Sequence, residues 1–154
     1  MKIYLDTCCL NRSFNDQTQA RIRQETGAIQ TLLKYCFIER WLWITSDVLI
    51  FEVNNTPNQI QRDYMKTQLD CAYQNVSVGA IENTRGQELE ALGFKWFDAL
   101  HLACAESSKV DVFLTTDDRL IRRANRIRAL LQVRVENPYI WLQEEIRDER
   151  PRND

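Results

Sequence analysis

Acidic side chains recur in this chain where a hydrophobic run ends or turns inward. Asp6 closes "IYLD", Glu52 lies in "SDVLIFEVNN", Asp98 in "WFDALHLACA", and Asp117 and Asp118 in "LTTDDRL". Each has an ordinary reading beside a chemical one. An aspartate that follows a strand is often a turn or helix cap. Glu52 shares a helical face with Val48 and Leu49, which turns it inward, although a small shift in helix phase would leave it in solvent. Asp98 falls near the start of a helix, where negative charge is favoured, and His101, one turn on, is its expected hydrogen-bond partner. Asp118 is the expected N-cap of "RLIRRANRI". Asp117 is less easily explained that way, and Thr115 and Thr116 are placed to satisfy its oxygens.

Converging carboxylates repel one another unless cations neutralise them. Three aspartates and one glutamate are hard oxygen donors, which suit Mg²⁺ or Mn²⁺ better than zinc. Such ions activate water and stabilise the charge that develops when a phosphodiester is cleaved. A zinc set is not available, because the chain has one histidine, His101, and no C-x-x-C spacing among its five cysteines. Cys8, Cys9, Cys36, Cys71 and Cys104 read as reduced thiols, mostly small core residues, of a cytoplasmic protein.

The elements that must position these acids alternate. Short apolar runs suited to buried strands occur at 2–5, 41–46, 75–78, 110–115 and 132–137. Helical spacing fills the intervals at 15–39, 47–55, from Pro57 to about Tyr73, 80–93, 95–108 and 118–127, with a last helix at 138–149. Ser46 is the candidate N-cap of the second helix, and Gly93 ends the fourth. This alternation predicts an α/β domain with a mainly parallel sheet and helices on both faces, a three-layer α/β/α sandwich of five strands. Ligands of such sheets bind beyond the carboxyl ends of the strands, where Asp6 and Asp117 fall.

At 154 residues the chain is expected to form one domain over 1–149, followed by a polar tail at 150–154. A hydrophobic content of 44% supplies a core, and the strand at Lys2 suggests that the N-terminus is structural. A net charge of −2 argues against coating nucleic acid by bulk charge, but a local basic patch remains open. Arg119, Arg122 and Arg123, with Arg126, Arg128 and Arg134, cluster after Asp117, and Arg12 follows the first strand. Most of these suit a solvated surface, while those nearest Asp117, and Arg12 from the opposite rim, suit contacts to RNA phosphates. No apolar run approaches the ~18 residues of a membrane span, and no signal segment opens the chain.

With "LDT" (5–7), Glu52 in "SDVLIFE", "DALHLA" (98–103) and "LTTDDRL" (114–120) in this order, the sequence resembles the PIN-domain family of metal-dependent ribonucleases. The resemblance spans nearly the whole domain, and "DALHLA" with a downstream T-x-D is its specific part. It implies a PIN-like five-stranded parallel sheet with the first and fourth strands side by side. Asp6, Glu52, Asp98 and Asp117 would be the catalytic and metal-binding acids, supported by Thr115, and RNA the substrate. Many short members look like VapC-like toxins of toxin–antitoxin pairs, which implies an antitoxin partner. PIN-like proteins also often self-associate. A homodimer is therefore expected, through "PYIWLQEEI" and the Trp41–Trp43 region. One departure is Cys8, where many members have Asn or Ser; Asn11 is a candidate substitute.

Two phosphoryl-transfer classes fit less well. A haloacid-dehalogenase-type phosphatase wants a second aspartate where Cys8 stands, and a phospho-receiver domain wants an acidic pair before its nucleophile strand. The serious rival is a catalytically inactive PIN-like module that binds RNA or protein.

Overall fold

The computed structural model describes residues 1–149; the expected tail at 150–154 lies outside the described residues. Strands β1 (Lys2–Leu5), β2 (Leu42–Ser46), β3 (Gln74–Val76), β4 (Val112–Leu114) and β5 (Arg134–Glu136) form one sheet. Their order is β3-β2-β1-β4-β5, and every neighbouring pair is parallel.

The strands alternate with period two, so each face of the sheet carries its own core. Tyr4, Ile44, Phe113 and Val135 pack with α5 (Ala80–Ala91), α6 (Trp96–Ser107) and α7 (Asp118–Arg126). Ile3, Leu5, Trp43, Val112 and Leu114 pack with α1 (Thr7–Asn11), α2 (Ala20–Phe37), α4 (Gln59–Leu69) and α8 (Pro138–Glu149). Helix α3 (Asp47–Asn54) straddles the edge, with Val48 in the first core and Leu49 and Val53 in the second. The result is the expected three-layer α/β/α sandwich.

Parallel neighbours require crossovers, so the chain leaves each strand at the same edge and returns through a helix to the other. Helices therefore begin at the carboxyl edge of the sheet. Register then sets the neighbours there: Leu5 lies opposite Leu114, and the Asp6 amide donates to the Leu114 carbonyl at 2.9 Å.

Several local expectations need correction. The helix expected over 15–39 begins only at Ala20; residues 7–14 instead form the short α1 and a 3-10 turn, Arg12–Phe14. Helix α4 is opened by Asn58, whose side chain accepts from the Gln61 amide, rather than by Pro57. Asp117, not Asp118, caps α7, accepting from the amides of Arg119 and Leu120. The aromatic surface expected to support a dimer is largely interior: Trp41, Trp43 and Trp141 are all buried in the core shared with α2, where the Trp41 and Trp141 rings meet edge to face. Cys9, Cys36 and Cys104 are buried, and all five thiols are free.

Candidate active site

Asp6 stands at the exit of β1 as the N-cap of α1. One of its oxygens accepts from the Thr7 amide at 2.8 Å, and the other accepts from the Thr115 hydroxyl at 2.9 Å. Thr115 is fully buried at the exit of β4, and its oxygen also accepts from the Asp117 amide at 3.1 Å. It thus ties the two strand ends together, and it engages the backbone of Asp117 rather than the carboxylate as expected.

Asp98 reaches the same edge because it lies in the first turn of α6, whose other end leads into β4. It is half-buried, and its pKa is pushed up to about 6. Burial is the main cause. The charge of Asp6 adds to it, His101 opposes it, and Asp117 and Glu52 raise it further. Asp98 therefore senses all three other acids expected at the site. Asp117 is exposed at the rim, with one oxygen committed to capping.

Glu52 does turn inward, but towards His101. Its Oε1 contacts His101 Nε2 in a short hydrogen bond and accepts from the Thr7 hydroxyl at 3.0 Å. Burial pulls the Glu52 pKa up, yet the hydrogen bond and charge of His101, with the bond from Thr7, outweigh it and hold the carboxyl below its usual range. The expected pairing of His101 with Asp98 is corrected accordingly. The imidazole points across the helix at the sheet, where its Nδ1 lies 2.6 Å from the Tyr4 hydroxyl and its Nε2 is 3.8 Å from Asp6 Oδ1. Burial opposes charge on His101, but Glu52, Asp6 and Asp98 raise its pKa in sum. As an imidazolium it donates to both Glu52 and Tyr4, and Tyr4 can donate onward to Ser46 Oγ, 2.6 Å away.

Tyr4, Thr7 and Ser46 were not singled out from the sequence as site residues. The available signal was modest: Tyr4 is the one hydroxyl in the strand "KIYL", and Thr7 follows an acid at a strand end.

Cys8 occupies the ground next to Asp6. Its sulfur is 3.5 Å from Asp6 Oδ2 and 3.3 Å from Thr115 Oγ1, and it accepts from the Thr116 amide at 3.4 Å. Asn11 does not substitute for it, since its side-chain oxygen accepts from Gln61 at 2.6 Å. Arg12 is also reassigned. Its guanidinium donates twice to the buried Glu25, at 2.6 and 3.0 Å, which removes it from the expected RNA-contact set. Asp118 likewise supports α2 rather than the acids, through a two-pronged bond from Arg21 at 2.6 and 2.7 Å. Arg119, Arg122 and Arg123 are exposed on α7, and the Arg123 guanidinium lies over Gly93. Gly93 has φ +106°, and a side chain there would collide with that guanidinium.

Among the described residues, no three His, Cys, Asp or Glu side chains are placed closely enough to hold a metal ion as they stand. The chemistry of the donors nonetheless fits a hard divalent cation. They are carboxylate oxygens at one edge, with no lysine or arginine ion-paired to any of the four among the described residues.

The PIN domain family model matches residues 3–126. Among solved structures, a chain of VapBC2 from Rickettsia felis, crystallised bound to a DNA fragment from its promoter, superposes with a TM-score of 0.59 at 16% identity, covering 89% of this chain and 98% of that one. A chain of FitAB bound to an IR36 DNA fragment gives 0.58 at 15% identity, covering 89% and 95%. No curated protein matches the chain in sequence. At such identities the structural likeness speaks for the fold alone. The match along the sequence, which runs from β1 through α7 and so contains every acid at the carboxyl edge, carries the assignment: this chain belongs to the PIN domain family.

Proposed function

We propose that the protein is a divalent-metal-dependent endoribonuclease whose site is built from Asp6, Glu52, Asp98 and Asp117. The observation that carries this reading is Asp98, a half-buried acid whose pKa is raised to about 6 in the company of three further acids, with no lysine or arginine paired to it among the described residues. A site that gathers four carboxyl groups around a single imidazole at the carboxyl edge of a parallel sheet is suited to a cation. Asp6 and Asp98 would hold Mg²⁺ or Mn²⁺, with Asp117 and Glu52 completing the set directly or through water. A bound ion would supply an activated water and neutralise charge developing on the phosphoryl group. The protein's own part is to orient: Thr115 fixes Asp6 relative to the β4 end, and Thr7 and His101 fix Glu52. Arg119, Arg122 and Arg123 provide a basic rim for phosphates of the RNA strand.

The family, with two structural neighbours from VapBC2 bound to a DNA fragment from its promoter and FitAB bound to an IR36 DNA fragment, supports a role as the toxin of a toxin–antitoxin pair with a cognate antitoxin. None of the described helices is long and apolar enough to cross a membrane. From the five free thiols we infer a cytoplasmic setting. Single-stranded RNA incubated with Mn²⁺ should be cut internally by wild type and not by Asp98→Asn. Equal cleavage by both would mean that any nuclease activity arises elsewhere. RNA binding without cleavage at any metal concentration would favour the inactive binding module.

A further inference from the structure

We propose that Phe51 and Phe97 form a stacking platform for an unpaired base of the RNA substrate, at the lip of the acidic site; this rests on the nuclease reading above. The two rings come from different helices, α3 and α6, and stack on each other with centroids 5.8 Å apart and planes 16° from parallel. Each immediately precedes one of the site acids, Glu52 and Asp98. Phe51 is 54% and Phe97 46% exposed, in a chain that buries three of its tryptophans almost completely.

The size and surroundings of this feature identify its occupant. Two half-exposed rings offer about one aromatic side chain's worth of surface, roughly 200 Å². A stable protein interface needs about 800 Å² per partner, so the pair by itself is scaled to a planar ring rather than to a second chain. Its neighbours along the two helices are polar: Asn54 and Asn55 follow Phe51, and the exposed Lys95 precedes Phe97. The Arg123 guanidinium over Gly93 brings the basic face of α7 against the segment that leads into α6. Gly93 is four residues before Phe97 in the chain, so the basic face of α7 approaches the stem of the helix that carries the stack and Asp98. Single-stranded nucleic acids are bound by this combination, with a basic track for phosphates and aromatic faces for bases.

The test uses a single-stranded oligoribonucleotide carrying one 2-aminopurine, and the same strand with an abasic position in its place, titrated in Ca²⁺ buffer. Wild type should bind the 2-aminopurine strand and quench its fluorescence. The Phe51→Ala/Phe97→Ala double variant should lose the quenching and bind roughly 10- to 100-fold more weakly, while Phe97→Trp should retain both. The penalty should shrink on the abasic strand. Mn²⁺ affinity should be unchanged in every variant, which separates loss of the platform from loss of the metal site. Equal affinity and quenching in the double variant overturns the proposal. So does a shift of the double variant from dimer to monomer by light scattering, which would assign these rings to an interface between copies. If wild type binds Mn²⁺ but no RNA, the nuclease reading fails together with the platform.

Discussion

Two groups of acids, one buried beneath the helices and one at the carboxyl edge of the sheet, are treated oppositely. Glu25 and Glu106 are both buried and both clamped by arginine. Glu25 accepts from Arg12 and, at 2.5 Å, from Asn137, joining α2 to the 3-10 turn and to the start of α8. Glu106 accepts from Arg85 at 2.7 and 3.2 Å and from the Gln132 amide at 3.0 Å, joining α6 to α5 and to the approach to β5. At the carboxyl edge of the sheet Asp6, Glu52, Asp98 and Asp117 are given hydroxyls, amides and one imidazole, but no arginine or lysine among the described residues. A buried ion pair that lacks one partner is strongly destabilising, so proteins seldom leave such acids unmatched. The paired acids act as cross-links. The four at the edge share one imidazole among them, and these are the acids we propose to serve a cation.

The largest effect should come from exchanging charge for amide in each class. Asp98→Asn should reduce Mn²⁺-dependent RNA cleavage by roughly 100- to 10,000-fold, the equivalent of several kcal/mol of transition-state stabilisation. Glu25→Gln should leave cleavage within a few-fold of wild type when assayed well below its melting temperature. If Glu25→Gln is the more damaging in that assay, the division into cross-links and ligand acids is wrong.

Stability should answer the other way round. Glu25→Gln strands Arg12 beside a neutral amide and should cost about 3 kcal/mol, read as a lower urea midpoint at unchanged slope. A loss below about 0.5 kcal/mol would mean that the buried pair only balances its own desolvation.

A smaller effect tests the chain of hydrogen bonds behind Glu52. Tyr4→Phe removes the hydroxyl between His101 and Ser46 and should weaken Mn²⁺ binding roughly 10-fold by calorimetry, since partners behind a ligand set its orientation. Unchanged Mn²⁺ affinity would make Tyr4 a packing residue only.

The smallest effect concerns pH. The folded chain raises the Asp98 pKa from 3.8 to about 6, so in that window folded Asp98 keeps a proton that the unfolded chain has released. The resulting penalty is absent below pH 3.8, grows through the window and is complete above about pH 6. Discounted for its partial exposure, it amounts to about 1 kcal/mol. Metal-free Asp98→Asn should therefore match wild type near pH 4 and exceed it by about that amount at pH 7. The same titration predicts that Mn²⁺ binding weakens as pH falls through 6, because protons compete for the carboxylate.

The order of strands and helices, the strand-end positions of Asp6 and Asp117, and the interior placement of Asp98 were legible from the chain alone. Each depends on local periodicity or on where an apolar run stops, and these signals act over a few residues. Their convergence followed only once the resemblance set β1 beside β4, because sequence distance says nothing about which of five strands are neighbours. Partners were beyond local reading altogether. His101 is three residues from Asp98 yet bonds to Glu52, and Arg12 finds Glu25 rather than substrate. Trp41 and Trp141, which look like surplus surface, cover one another and share a core with α2. Even the neighbouring aspartates exchanged roles, Asp117 capping α7 while Asp118 reaches Arg21. Spacing in a sequence sets which residues can share one helix or one strand face. Which charges are neutralised and which are left for a ligand is settled by contacts between residues remote in the chain, and only the tertiary structure decides those.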